Sequence, residues 1–184
     1  MSETRTTSEL DAATQHDDGR GPGIVPYTGA SLGDVGEIMS APEFPAGIAE
    51  EFDIALLAGG AATDVVFQDS RPNGFSLTNL RLAPHFILPP HRHDVDCLYY
   101  VLSGSIVLGR RRIDPGGGFQ VLANRPYGYR AGPEGATVLE FRQSTRFNMV
   151  ITETSRLKWR EMVEVATAND GWPGFVESVA LPTA

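Results

Sequence analysis

The chain has 184 residues, a formal net charge of −8 and an apolar fraction of 41%, which suits one domain with extensions. No apolar run approaches the roughly 18–20 residues of a spanning helix, so no membrane partner is expected. The 23 acidic against 15 basic residues disfavour nucleic acid, because a phosphate backbone needs a basic face.

In chain order, residues 1–23 are rich in Ser, Thr, Asp and Gly and are expected to be a disordered tail that carries His16 in solvent. No apolar stretch follows Met1-Ser2-Glu3-Thr4-Arg5, so no signal peptide is visible. With a single cysteine, Cys97, an intramolecular disulfide is excluded and a reducing, cytoplasmic setting is expected. Residues 24–72 read as an N-terminal extension with strands at 52–57 and 63–67, joined through Gly59-Gly60. Pro42 and Pro45 keep residues 39–45 extended and irregular. Residues 73–150 hold closely spaced strands at 76–83, 86–88, 98–102, 105–108, 118–122 and 137–142, broken by Gly/Pro turns, the pattern of a sandwich or barrel. Arg110-Arg111-Arg112 reads as a solvated hairpin connection after Leu108-Gly109. Residues 151–184 hold one helix, capped by Ser155, with Trp159, Met162, Val163 and Ala166 on one apolar face, and then a tail.

Three of the four histidines, His85, His91 and His93, lie within nine residues. On an extended segment His91 and His93 point to one face, since strand side chains alternate with period two. Two neutral imidazoles begin a first-row metal site but need a third donor. The alternative is a hydrogen-bonded pair inside a metal-free barrel. Cys97 is read either as a thiolate ligand or as a small buried hydrophobe. Asp94 and Asp96 offer carboxylates beside the histidines, with strand parity putting position 97 inward and Asp96 on the rim. Glu140, between Leu139 and Phe141, either reaches the cavity or forms a salt bridge with Arg142 or Arg81.

The strand pattern and the His-x-His pair resemble the cupin superfamily, over residues 79–143. The first cupin motif has Gly, five residues, His-x-His, three or four residues, Glu, six residues, Gly. Here His91, His93 and the closing Gly104 match, His85 replaces the opening glycine, and Cys97 stands at the glutamate. In the second motif only Gly116 survives. Leu122, Asn124, Tyr127 and Ala131 occupy the positions of its proline, glycine, histidine and asparagine. The usual ligand set of three histidines and a glutamate is therefore not available.

The resemblance implies an all-β chain: a cupin-type antiparallel β-barrel or jelly roll with an N-terminal strand extension and one C-terminal helix. It also implies a metal-dependent enzyme acting on a small apolar or aromatic metabolite, with dioxygenase chemistry the first expectation. The alternatives are an isomerase, cyclase or dehydratase, or a non-catalytic binding barrel. The expected metal ligands are His91 and His93, with Cys97, Asp96 or Glu140 as third donor. The metal is a divalent ion, Fe(II) first, with Zn, Mn, Ni, Cu or no metal as alternatives. Tyr127 and Glu140 are the expected acid–base residues, and Tyr99, Phe86, Phe119 and Phe141 the expected substrate pocket. Cysteine dioxygenases, also cupins, cross-link a cysteine at the Cys97 position to a tyrosine, here Tyr127 or Tyr99. A homodimer is expected, partly from the extra strands over residues 50–70.

Overall fold

The computed structural model describes residues 24–71 and 73–183; the expected tail, with His16, lies outside the described residues. The elements are β1 (Gly33–Asp34), α1 (Ile48–Glu51), α2 (Ile54–Ala58), β2 (Ala61–Gln68), β3 (Ser76–Leu82), β4 (Ile87–Arg92), β5 (Cys97–Leu108), β6 (Arg111–Ile113), β7 (Gly118–Val121), β8 (Tyr127–Arg142), β9 (Val150–Ile151), α3 (Arg156–Ala168) and α4 (Phe175–Ser178). Every pairing between these strands is antiparallel. The expected all-β barrel class is what the chain forms.

The long strand β8 organises the barrel. Its second half lies between β3, from Ser76↔Arg142 to Leu82↔Ala136, and β5, where Cys97 faces Arg142 and Tyr99 faces Glu140. Its first half leaves β3 and pairs with β4 instead, Ile87↔Arg130 and His91↔Tyr127. Gly132, Pro133 and Gly135 sit where the partner changes; such residues let a strand bend between two sheets. The sheet curls around a core that includes Val101, Ile106 and Val138, all 0% exposed.

Two expected strands, 98–102 and 105–108, are one, because β5 runs through Gly104 with register shifts on either side. Gly104 has φ +66°, and a Cβ there would collide with the Gly135 carbonyl. The match to the closing motif glycine thus has a local steric cause. Residues 52–57 do not form the expected strand. Asp53 caps α2 by accepting from the Leu56 amide at 3.3 Å, and Leu57 is buried in the core. Within the 24–72 extension β2 pairs with β3 from Ala61↔Leu82 to Gln68↔Ser76.

The expected C-terminal helix is α3. Ser155 caps it, and Trp159, Met162 and Ala166 are its buried face. The Trp159 indole donates to Glu153 O at 2.9 Å, and the ring packs between Phe44 and Phe52. Among the described residues no helix is long and apolar enough to cross a membrane.

Candidate active site

The site begins with two prolines. Pro89 and Pro90 have no N–H to give a neighbouring strand, and the β4–β8 register shifts between Leu88 and His91. Gly128 faces this irregularity, where a Cβ would crowd Leu88 O and Pro90. The Pro89 carbonyl accepts from His91 Nδ1 at 2.8 Å. A carbonyl only accepts, so Nδ1 carries the hydrogen and Nε2 presents its lone pair. Nε2 takes a hydrogen bond from the Tyr127 hydroxyl at 2.9 Å, because the shifted register sets Tyr127 directly opposite. Tyr127 in turn is hydrogen-bonded to the Tyr99 hydroxyl.

His93 follows the same logic. Its Nδ1 lies 2.5 Å from Asn148 O. Asn148 is clamped to Asp94 by two bonds of 3.0 Å, Asp94 N to Asn148 Oδ1 and Asn148 N to Asp94 Oδ1. The tautomer this imposes leaves Nε2 as a lone pair, and it has no hydrogen-bond partner among the described residues. Both rings are buried, with centroids 4.9 Å apart. Burial, with His93 alongside, pulls His91 down to about 4, and burial with the Arg142 cation lowers His93. Both imidazoles are neutral near pH 7.

A cavity of about 80 Å³ opens between these rings and is lined also by Leu80, Leu88, Glu140, Arg142, Phe147 and Met149. Arg142 Nη2 donates to Glu140 Oε2 at 2.6 Å. Thr78 Oγ1 links the pair, donating to Glu140 and accepting from Arg142, each at 3.2 Å. The guanidinium lies 4.0 Å above the centre of the Phe147 ring. Burial works against the Arg142 cation, but the surrounding groups, Glu140 foremost, together offset it and keep the guanidinium charged. Glu140 therefore reaches the cavity and is also bridged to Arg142. Arg81 instead pairs with Asp64 on the outer side.

The remaining expected residues separate. Asp96 is exposed, and its Oδ1 accepts from Ala123 N at 2.7 Å rather than meeting the histidines. Cys97 is 2% exposed, its thiol lies 3.7 Å from Val95 O, and burial raises its pKa, so it is a thiol and not a thiolate. Tyr99 and Phe119 stack inside the barrel with centroids 4.4 Å apart. Phe86 is buried elsewhere, edge-on to Trp172 at 5.6 Å. Phe141 points outward, because Glu140 and Arg142 take the inward positions of β8. His85 is exposed with φ +62°, the left-handed conformation that glycine adopts most readily. Burial keeps the Tyr99, Tyr127 and Tyr129 phenols protonated, well above their ordinary range.

A structural or catalytic metal needs at least three protein donors. Among the described residues no three His, Cys, Asp or Glu side chains are grouped to hold an ion. His91 Nε2 is engaged by Tyr127, the one carboxylate lining the cavity is engaged by Arg142, and a fixed cation already lies beside both imidazoles. This donor set does not fit the expected metal. Asn148 and Phe147 were not singled out from sequence, and Arg142 was named only as a salt-bridge partner of Glu140, although the Glu140-x-Arg142 spacing on one strand face also pointed it into the cavity.

No family model and no curated protein matches the chain. Several solved structures are similar in fold. The polyketide cyclase RemF from Streptomyces resistomycificus is 21% identical, covering 61% of this chain and 82% of that one, with a TM-score of 0.46. KdgF from Halomonas sp. is 22% identical over 47% of this chain and 82% of that one, TM-score 0.42. An RmlC-like cupin from Shewanella frigidimarina is 16% identical over 51% and 81%, TM-score 0.43. The curled antiparallel sheet, the change of partner along β8 and the inward His91-x-His93 pair form the barrel architecture that the resemblance to cupins implies.

Proposed function

We propose that the barrel is a small-molecule enzyme of acid–base type, an isomerase, cyclase or dehydratase, in which His93 takes the proton and Arg142 stabilises the oxygen that gains negative charge. One observation carries this reading: a neutral imidazole with a free Nε2 and a fixed guanidinium line the same small cavity. A base must be unprotonated and within reach, and a preorganised cation acts best where water is excluded. Tyr127 and Tyr99 hold His91 and are positioning residues, and Glu140 balances the guanidinium. At roughly 30 Å³ per water-sized group, the cavity of about 80 Å³ admits only the reactive end of a substrate. Its walls of Leu80, Leu88, Phe147 and Met149 suit an apolar carbon frame.

The test is deuterium exchange at the α-carbons of acetone, acetylacetone and acetoacetate in D2O, followed by proton NMR. Exchange above buffer should fall at least tenfold in His93→Gln, in line with the roughly 10²–10⁴-fold worth of a positioned base. Equal exchange by His93→Gln and the unaltered chain would overturn the assignment.

A metal-dependent, dioxygenase-type enzyme is the second reading. It is favoured by the way backbone carbonyls hold both Nδ1 atoms, the support that metal-bound histidines receive. It would require Tyr127 to release His91 and Glu140 to release Arg142. Elemental analysis of the purified protein decides. Stoichiometric iron that is lost in His91→Ala/His93→Ala would transfer the assignment to this reading.

A further inference from the structure

A second hollow, of about 340 Å³, lies against the reaction cavity. Met39 and Ser40 line one side of it, and Asp94, Arg146, Phe147 and Asn148 the other. Met39 and Phe147 also line the inner cavity, so these two side chains are the partition between the spaces. The two segments are joined through the backbone: Ser40 N donates to Phe147 O at 3.0 Å, and Phe147 N to Ile38 O at 3.1 Å. Phe147 is buried and meets the His93 ring edge-on at 5.2 Å. Asp94 and Asn148 are the clamp that orients His93, so one wall of the outer hollow is the support of the proposed base.

The outer hollow carries one charge of each sign. Arg146 is exposed, and its guanidinium makes one hydrogen bond, to Glu37 O at 3.5 Å. Asp94 Oδ1 is taken by Asn148 N, and Oδ2 has no partner among the described residues. Neither side chain is in an ion pair among those residues, so the two line one space without meeting. A simple anion on Arg146 would be repelled by Asp94, and a simple cation on Asp94 by Arg146. A ligand with both charges on neighbouring atoms satisfies both walls.

We propose that the outer hollow binds the head group of an α-amino acid, its carboxylate on Arg146 and its ammonium on Asp94, while the apolar side chain passes Met39 and Phe147 into the inner cavity. The guanidinium fork matches a carboxylate in two parallel hydrogen bonds. Met39, unbranched and adaptable, gives way to a side chain at the partition. For the inner end the inference rests on the acid–base reading above: the substrate is then an amino acid with a carbonyl in its side chain. His93 Nε2 takes a proton from the carbon beside that carbonyl, and the C–H electron pair moves onto the carbonyl oxygen as an enolate facing Arg142.

Saturation-transfer NMR titrations of the full chain with norleucine, hexanoate and pentylamine test this. The three share an apolar chain and carry both charges, the carboxylate alone and the ammonium alone. Norleucine should bind with a Kd of about 1 mM or tighter, and each of the others roughly tenfold more weakly, the worth of a charge-assisted hydrogen bond. Arg146→Gln should weaken norleucine to the level of pentylamine. Asp94→Asn, which keeps an acceptor for Asn148 N, should weaken it to the level of hexanoate. Arg110→Gln, in the exposed turn between β5 and β6, should leave the affinity unchanged. Hexanoate or pentylamine binding as tightly as norleucine overturns the proposal, as does norleucine affinity that survives Arg146→Gln. So does the absence of norleucine binding at about 10 mM, tenfold above the expected Kd. None of the three ligands carries a side-chain carbonyl, so the titrations judge the outer hollow alone, and deuterium exchange judges His93.

Discussion

Glu140→Gln isolates the buried cation on which the cavity depends. Glu140 and Arg142 are 2.6 Å apart, with side chains 7% and 2% exposed. Glutamine keeps the shape and one acceptor oxygen but removes the charge, so the guanidinium stays buried without a counter-ion. Removing one partner of a buried ion pair costs about 3–5 kcal/mol. The remaining acceptor and the Phe147 ring 4.0 Å from the guanidinium, the latter worth about 0.5–2 kcal/mol, place this case at the low end, about 3 kcal/mol. At about 2–4 °C per kcal/mol for a domain of this size, the melting temperature should fall by about 6–12 °C. Urea unfolding read through the buried Trp159 and Trp172 measures the change directly. Glu140→Gln/Arg142→Met removes both charges and should recover about 2 kcal/mol of the loss, since an apolar replacement of a buried pair is often neutral or better. A loss under about 1 kcal/mol in Glu140→Gln, or no recovery in the double variant, would show that Arg142 is not a desolvated cation.

Stability should also depend on acid. His91 titrates at about 4 in the folded chain and near 6.5 when unfolded, so between these values the unfolded state binds the extra proton. The His91 contribution is whole above about pH 6.5 and falls by about 3 kcal/mol as the pH drops to 4; urea unfolding of His91→Gln should show a shallower slope in that window. Tyr127→Phe strips His91 Nε2 and the Tyr99 hydroxyl of their partner; a loss of about 1–3 kcal/mol is expected by thermal unfolding, and no loss would deny the hydrogen-bonded chain. Cys97 should resist a disulfide-exchange thiol reagent until the protein unfolds, being a buried thiol; rapid labelling in native buffer would contradict its burial. Cys97→Ser should cost about 1–3 kcal/mol, through a hydroxyl held without a good partner.

Several features were legible in the sequence because they rest on neighbours along the chain. Alternation of side chains put His91 and His93 on one face and Asp96 on the rim. Spacing identified Gly104 and the Ser155-capped helix, and Pro115-Gly116-Gly117 marked the turn before β7, whereas Pro89-Pro90, Ser103-Gly104 and Gly132-Pro133-Glu134-Gly135 lie inside continuous strands. Residues 52–57 were misread because a short apolar run satisfies both periods; burial of Leu57 in the core, with Asp53 as cap, decided for helix.

The chemistry of the cavity depends on offsets between strands distant in sequence, which no local pattern encodes. The Pro89-Pro90 irregularity sets His91 opposite Tyr127, and the Asp94–Asn148 clamp brings a carbonyl to His93. The inward turn of Glu140 and Arg142 sends Phe141 to the outer face. A one-residue shift in register exchanges the inner and outer faces of a strand. Local alternation thus says which side chains travel together, and only the packed sheet decides whether they meet a cavity, a counter-ion or solvent.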